Sequence, residues 1–208
     1  MNSGPSSVFV VDDDPSVLRS LERMFRLEGY AVECFSHPRH LLDRPLGGGE
    51  GARCVVMDLR MPELNGLELQ RELHQAGWRH PIIFISGHGD VPSAVRAMKA
   101  GAVDFLPKPF VSAELLAAVA RALEQDGAAR AEARELEALR ARFATLSPRE
   151  QQVSRGVARG LLNKQIASEL GTAEQTVRLQ RSRLMEKLGL DSAAQLVRLL
   201  ERLDSRPS

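Results

Sequence analysis

Five short runs of apolar, mostly β-branched residues, at 8–11, 30–35, 54–57, 82–85 and 103–106, alternate strictly with amphipathic segments over the first 124 residues. The runs are apolar almost throughout rather than at every second position. That is the pattern of strands buried on both faces, as in a parallel sheet covered by helices. The segments between them supply the helices. Val17, Leu18, Leu21, Met24, Phe25 and Leu27 recur at helical spacing behind Asp14-Pro15, a cap followed by Pro at the first helical position, and Gly29 stops the run. A shorter helix at 37–42 and longer ones at 67–76, 92–100 and 112–123 follow, with Gly77 and Gly101 as C-terminal stops. Five strands and five helices in this order predict a doubly wound (βα)5 α/β domain. The glycine-rich loop at 47–51 lacks the Gly-Lys-Ser/Thr of a phosphate-binding loop and reads as a surface connection.

In such a domain, ligands bind beyond the carboxyl ends of the strands. The first run ends in Asp12-Asp13-Asp14, the third in Asp58, the fourth in Ser86-Gly87-His88-Gly89 and the fifth in Lys108-Pro109. Three carboxylates, a hydroxyl and an ammonium thus converge on one rim. Clustered carboxylates raise one another's pKa unless a hard cation neutralises them. Mg²⁺ suits such a set, because it takes a few carboxylates and keeps waters for a phosphoryl group. An Asp carboxylate there can act as a nucleophile and form an aspartyl phosphate, with Lys and Ser holding the phosphoryl oxygens.

Other candidates are weaker. His37 and His40 are three residues apart with no third ligand nearby in sequence, and read as part of a surface helix. Trp78, ahead of Pro81, reads as loop packing. Cys34 and Cys54 fall in strand-like runs and are expected to be free thiols in a reducing, cytoplasmic setting. The polar, uncharged first seven residues carry no signal-peptide pattern, and no run approaches a membrane span.

The second part of the chain differs in pattern and charge. Residues 1–124 hold 13 Lys and Arg against 16 Asp and Glu, whereas 125–208 hold 15 against 11, a mildly basic balance that points to a polyanion. Aromatics make up 4% of the chain, too few for a platform that stacks single-stranded bases. The stretch 125–142 is rich in Ala, Glu, Arg and Leu and reads as a solvated helical linker. A short dimeric coiled coil through Leu136, Leu139 and Phe143 is the alternative, and Gly127 is a candidate break. From Phe143 onward the pattern is all helical. Ser147-Pro148-Arg149-Glu150 is a capping box. A short helix from Asn163 ends at Gly171, and a longer one opens at Thr176 and runs to about Leu188. Two helices with that spacing are a helix-turn-helix candidate. The second carries Arg178, Arg181, Arg183 and Lys187 against the single acid Glu186.

Two resemblances rest on these residues. The runs Val-Val-Asp-Asp-Asp, Met-Asp-Leu-Arg-Met-Pro, Ile-Ser-Gly-His-Gly-Asp and Phe-Leu-Pro-Lys-Pro-Phe resemble the receiver domain of two-component response regulators, most of all the FixJ type, over 6–124. By resemblance Asp58 is the phosphoacceptor and Asp12 and Asp13 are the acid pair. Asp13, Asp58 and the Arg60 backbone carbonyl would ligate Mg²⁺, with Asp12 acting through water. Lys108 would bind phosphate through a loop with a cis bond to Pro109, Ser86 would be the switch hydroxyl, and Phe105 the switch aromatic. Phe105 lacks the phenol that a Tyr would bring. The resemblance gives His88 no catalytic role.

The runs Leu-Ser-Pro-Arg-Glu, Gly-Leu-Leu-Asn-Lys-Gln-Ile-Ala-Ser-Glu-Leu, Thr-Val-Arg and Leu-Met-Glu-Lys-Leu resemble a LuxR/NarL-type output domain. That resemblance implies a four-helix domain over 143–208, whose last helix, 193–203, forms a dimer contact. Lys164 falls where phosphate is contacted. Thr176, Arg178, Leu179, Arg181, Ser182 and Arg183 fall on or beside the DNA-facing side of the recognition helix. The chain departs from the family at Leu179-Gln180, where Val-His is usual, and at Ser182, where a basic residue is common.

These readings imply a phosphorylation-dependent transcriptional regulator, not an enzyme. Its partners would be a sensor histidine kinase, double-stranded promoter DNA, RNA polymerase and, on phosphorylation, a second copy of the chain. An aspartyl-phosphate phosphatase is disfavoured because Leu59 and Arg60, rather than a second Asp two residues on, follow Asp58. A pure adaptor is disfavoured by the basic helix-turn-helix.

Overall fold

The computed structural model of the chain describes residues 4–44, 51–87 and 91–204. The loop glycines at 47–49 and His88 lie outside them. The chain divides into two compact units, Met1–Arg130 and Ala131–Ser208.

In the first unit, β1 (Ser7–Val11), β2 (Ala31–Phe35), β3 (Arg53–Asp58), β4 (Ile82–Ser86) and β5 (Asp104–Pro107) form one sheet in the order β2-β1-β3-β4-β5. Every pairing is parallel. All residues of β3 and β4 are buried, whereas the edge strand β2 alternates between exposed and partly covered positions up to the buried Phe35. The helices are α1 (Pro15–Leu27), α2 (Pro38–Leu42), α3 (Gly66–Gln75), α4 (Val91–Lys99) and α5 (Ser112–Ala144). Successive strand residues point to opposite faces, so the sheet has two cores. Phe9, Val55, Met57 and Phe84 meet Leu41, Leu69, Leu73 and Ala97 on one side. Val8, Val10, Val56 and Ile85 meet Leu18, Leu21, Phe25, Leu115 and Val119 on the other. Asp14 caps α1 by accepting from the Ser16 N–H at 2.7 Å, ahead of Pro15. Gly29, Gly77 and Gly101 take the left-handed conformation at helix ends. Trp78 is buried against Phe9, and both cysteines are free.

Two expectations for the helices change. The sequence places a helix at 112–123 and a separate linker helix after it. The structure has one helix, α5, running straight through Gly127. A Cβ at 127 would meet Ala52 Cβ at an ordinary 3.9 Å, so no crowding opposes the helical path there. The helix expected to open at Thr176 opens instead at Glu174, behind Ala173, which makes no side-chain cap. Thr176 therefore lies inside its first turn.

The second unit packs α6 (Pro148–Ala158), α7 (Asn163–Leu170), α8 (Glu174–Leu188) and α9 (Ala193–Asp204) around Leu146, Val153, Ile166, Val177, Leu184 and Leu196. The capping box forms as expected: Glu150 N–H donates to Ser147 Oγ at 3.3 Å, and Ser147 N–H donates to Glu150 Oε2 at 2.8 Å. α6 and α7 cross so closely that a Cβ on Gly156 would lie 2.8 Å from Ile166 Cγ1. Arg142 donates to the Leu188 carbonyl at the end of α8, and Arg202 of α9 pairs with Glu135 through two bonds at 3.0 and 3.1 Å. Residues 131–144 are thereby part of this unit. Among the described residues, no helix is long and apolar enough to cross a membrane.

Candidate functional site

The carboxyl ends of β1, β3, β4 and β5 deliver Asp12, Asp58, Ser86 and Lys108 to one rim, because the four strands are parallel and in register. One carboxylate oxygen from each of Asp12, Asp13 and Asp58 lies within 4.8 Å of the others. Asp12 and Asp58 are buried and Asp13 is exposed, so the cluster opens to solvent on one side. The Lys108 ammonium donates to Asp12 Oδ2 at 2.7 Å and to Asp58 Oδ2 at 3.2 Å. Asp12 Oδ1 accepts from the Asp14 N–H at 2.9 Å, and Asp58 Oδ1 accepts from the Arg60 N–H at 3.3 Å. The Lys108 N–H donates to the Ser86 carbonyl at 2.7 Å, joining the ends of β5 and β4. The Lys108–Pro109 bond is cis, and Ser86 is fully buried beneath the rim. Phe105 is partly buried and packs on the core of the α3/α4 face.

Electrostatics follow from this packing. Burial pushes the Asp12 carboxyl above its ordinary range, outweighing the Lys108 hydrogen bond and charge that pull it down. Burial alone would lower Lys108, but its bonds and charges to Asp12 and Asp58 outweigh that and hold the ammonium above its usual value. The Lys108 ammonium thus sits against two of three clustered carboxylates. The residual negative charge, the available oxygens and the open side fit a hard divalent cation.

The loop after β3 holds features with no sequence signal of their own. A Cβ at residue 66 would lie 2.6 Å from the Asp58 carbonyl oxygen and 2.8 Å from Phe84 Cε1, so only glycine fits beneath Asp58. Glu63 adopts a left-handed φ of 67°. Such a conformation costs a non-glycine residue on the order of 1–3 kcal/mol. His37 answers it: its Nδ1 accepts from the Arg39 N–H at 3.3 Å, so its Nε2 carries the proton and donates to Glu63 Oε2 at 3.0 Å. The histidine read as part of a surface helix is the N-cap of α2 and a tether for this loop.

In the second unit, Lys164, Thr176, Arg178, Leu179, Ser182 and Arg183 are exposed. Val177, Leu184 and Leu188 turn the opposite side of α8 into the core. Two basic residues are engaged elsewhere. Arg181 is half-buried and donates to Asn163 Oδ1 at 3.2 Å, linking α8 to α7. Lys187 donates to the buried Glu150 carboxylate at 2.8 Å. Among the described residues, the basic side chains of α8 left without a partner are Arg178 and Arg183, fewer than the four cations counted along the sequence.

Comparison with known proteins agrees with this geometry. Residues 8–120 match the response regulator receiver domain, and 144–200 match the luxR family of bacterial regulatory proteins. The chain is 49% identical to nodulation protein W of Bradyrhizobium diazoefficiens, over 94% of this chain and 86% of that one. It is 44% identical to response regulator protein TmoT of Ectopseudomonas mendocina, over 98% and 91% of the two chains. The solved structure of response regulator StyR superposes with a TM-score of 0.84 at 44% identity, covering 96% of this chain and all of that one.

Proposed function

Because this chain belongs to the two-component response regulators with a luxR-type DNA-binding domain, we propose that Asp58 accepts the phosphoryl group that controls its binding to promoter DNA. This branch of the family consists of transcription regulators, not enzymes. The receiver implies a kinase as donor and the helix-turn-helix implies DNA as target. The observation that carries the reading is the Lys108 ammonium held between Asp12 and Asp58, at 2.7 and 3.2 Å, on a rim of three convergent carboxylates.

A carboxylate oxygen of Asp58 attacks phosphorus as the phosphorus–nitrogen bond of a kinase phosphohistidine breaks. Asp13, Asp58 and the Arg60 carbonyl would hold Mg²⁺ directly, and Asp12 through water. Bound there, the ion would supply charge neutralisation for the carboxylates and the incoming phosphoryl oxygens. Lys108 and the Ser86 hydroxyl then hold the phosphoryl group, and Phe105 follows Ser86 inward. The functional division is a receiver over 6–124, a helical linker over 125–142 and a DNA-binding domain over 143–208. The boundary between the compact units falls inside the linker, after Arg130.

Arg178, with Thr176, Leu179, Ser182 and Arg183 beside it, faces base edges, and Lys164 faces the backbone. Arg181 contributes by fixing α8 against α7. Phosphorylated chains pair as a homodimer that reads two half-sites in the cytoplasm and engages RNA polymerase. Incubation with acetyl phosphate and Mg²⁺ followed by intact-mass measurement tests the first step. Wild type gains one hydroxylamine-labile phosphate and chelation of Mg²⁺ abolishes the gain. An Asp58→Asn variant that still gains it would refute the assignment.

A further inference from the structure

The face of α5 that packs on the sheet is apolar through Leu115, Ala118, Val119, Ala122 and Leu123, and its next position is Asp126. This carboxylate is 4% exposed. A buried carboxylate without partners is strongly disfavoured, so its bonds decide whether the helix can stay on the sheet at that point. Asp126 Oδ2 accepts from the Arg53 N–H at 2.8 Å, and Asp126 Oδ1 receives His80 Nδ1 at 2.6 Å. A carboxylate oxygen accepts, so His80 Nδ1 is the donor.

The partners are themselves fixed. The Trp78 indole donates to the His80 carbonyl at 3.0 Å and meets the His80 ring edge-on at 4.8 Å, while Trp78 packs edge-on against Phe9 at 5.5 Å. Arg53 opens β3, and its buried guanidinium is held below its usual range by burial and by the charges of Arg130 and Arg44. Asp126 is thus an acid set among basic groups from β3, the approach to β4, and α5 itself.

The topology gives these bonds a second meaning. β3 runs from Arg53 to Asp58, and β4 starts two residues after His80 and ends at Ser86. The two strands that carry the phosphoacceptor and the buried hydroxyl at their carboxyl ends are therefore bonded, at their amino ends, to one carboxylate on α5. We infer that Asp126 is a positioning residue that fastens the segment after Leu123 to the receiver sheet and couples the linker helix to the state of Asp58. The coupling rests on the reading of Asp58 as phosphoacceptor; the fastening does not. A displacement of β3 or β4 on phosphorylation changes the two distances at Asp126, and the two-state element is the α5 segment beyond Leu123, held or released.

Two full-chain variants test this. Asp126→Asn preserves size and one acceptor but removes the charge. His80→Phe keeps a ring against Trp78 and removes only the bond to Oδ1. Each is compared with wild type by hydrogen exchange, phosphate incorporation and duplex-DNA titration, before and after acetyl phosphate and Mg²⁺. In both variants, amides 124–130 exchange about tenfold faster, phosphate uptake stays within about twofold, and the phosphorylation-induced gain in DNA affinity shrinks by about threefold or more. Wild-type exchange rates in both variants would overturn the fastening, and faster exchange with an undiminished DNA gain would overturn the coupling. A wild-type chain that takes no phosphoryl group would overturn the reading of Asp58 and the coupling with it, while the exchange rates still decide the fastening.

Discussion

Lys108 shows how little separates a stable pocket from a repulsive one. Its ammonium pairs with both Asp12 and Asp58, and burial already holds Asp12 above its ordinary range. A raised carboxyl pKa means that the folded receiver disfavours ionised Asp12. Stability is therefore lower at neutral pH and recovers as pH falls through that raised value toward 3.8, the ordinary value. Asp12→Asn removes this penalty. Expected in chelator at pH 7 is a higher urea midpoint for Asp12→Asn than for wild type. The gap closes below the ordinary carboxylate range, and added Mg²⁺ narrows it by stabilising the wild type; a variant no more stable than wild type in chelator at pH 7 contradicts the account. On the DNA side, the roles proposed for the exposed Arg178 and Lys164 differ. Arg178→Ala is expected to cost about 1–3 kcal/mol and to relax sequence preference. Lys164→Ala is expected to weaken all duplexes alike and to reduce the log–log salt slope by about 0.9. Titration of matched and mismatched duplexes at several salt concentrations separates the two, and equal loss of specificity from both would contradict the roles.

Elements differ in how far their own residues announce them. The strands were legible because β3 and β4 are buried on both faces and run apolar from Cys54 to Met57 and from Ile82 to Ile85. The acidic rim was legible for the same reason, since each strand end is marked where the apolar run stops. Two other contacts across long stretches of chain were not legible. Asp126 reads as one more linker acid until Arg53, 73 residues away, donates to it. Lys187 reads as one of four cations along its helix until Glu150, 37 residues away, takes it. The start of α8 was misplaced because Ala173 supplies no side-chain cap, whereas Ser147 announces α6. That capping box makes its own prediction. Lys187 and the Ser147 N–H hold Glu150 below its ordinary 4.5. A lowered carboxyl pKa contributes stability that is complete above 4.5 and lost as pH falls through the folded value. Ser147→Ala is expected to destabilise the second unit by about 1 kcal/mol. Glu150→Gln is expected to flatten its acid dependence below pH 4.5, followed by urea unfolding across pH; an unchanged slope there contradicts the account.

At the scale of the whole molecule, the chemistry proposed at Asp58 and the recognition proposed at Arg178 belong to different compact units. Phosphorylation must therefore bias a balance between states of the chain rather than act on DNA contacts directly. Moving such a balance from 1:99 to 99:1 takes about 5.5 kcal/mol of differential stabilisation, so one phosphoryl group is expected to produce a partial shift. Dimer formation adds a dependence on protein concentration. Sedimentation is expected to show a larger dimer fraction after acetyl phosphate than before, at equal concentration. The most direct measurement is the affinity of the full chain for a duplex selected from random sequence, with and without acetyl phosphate and Mg²⁺, for wild type and Asp58→Asn. Wild type is expected to bind about tenfold tighter after treatment, and Asp58→Asn to stay at the untreated value. Equal affinity for treated and untreated wild type, or the same gain in Asp58→Asn, would contradict the account.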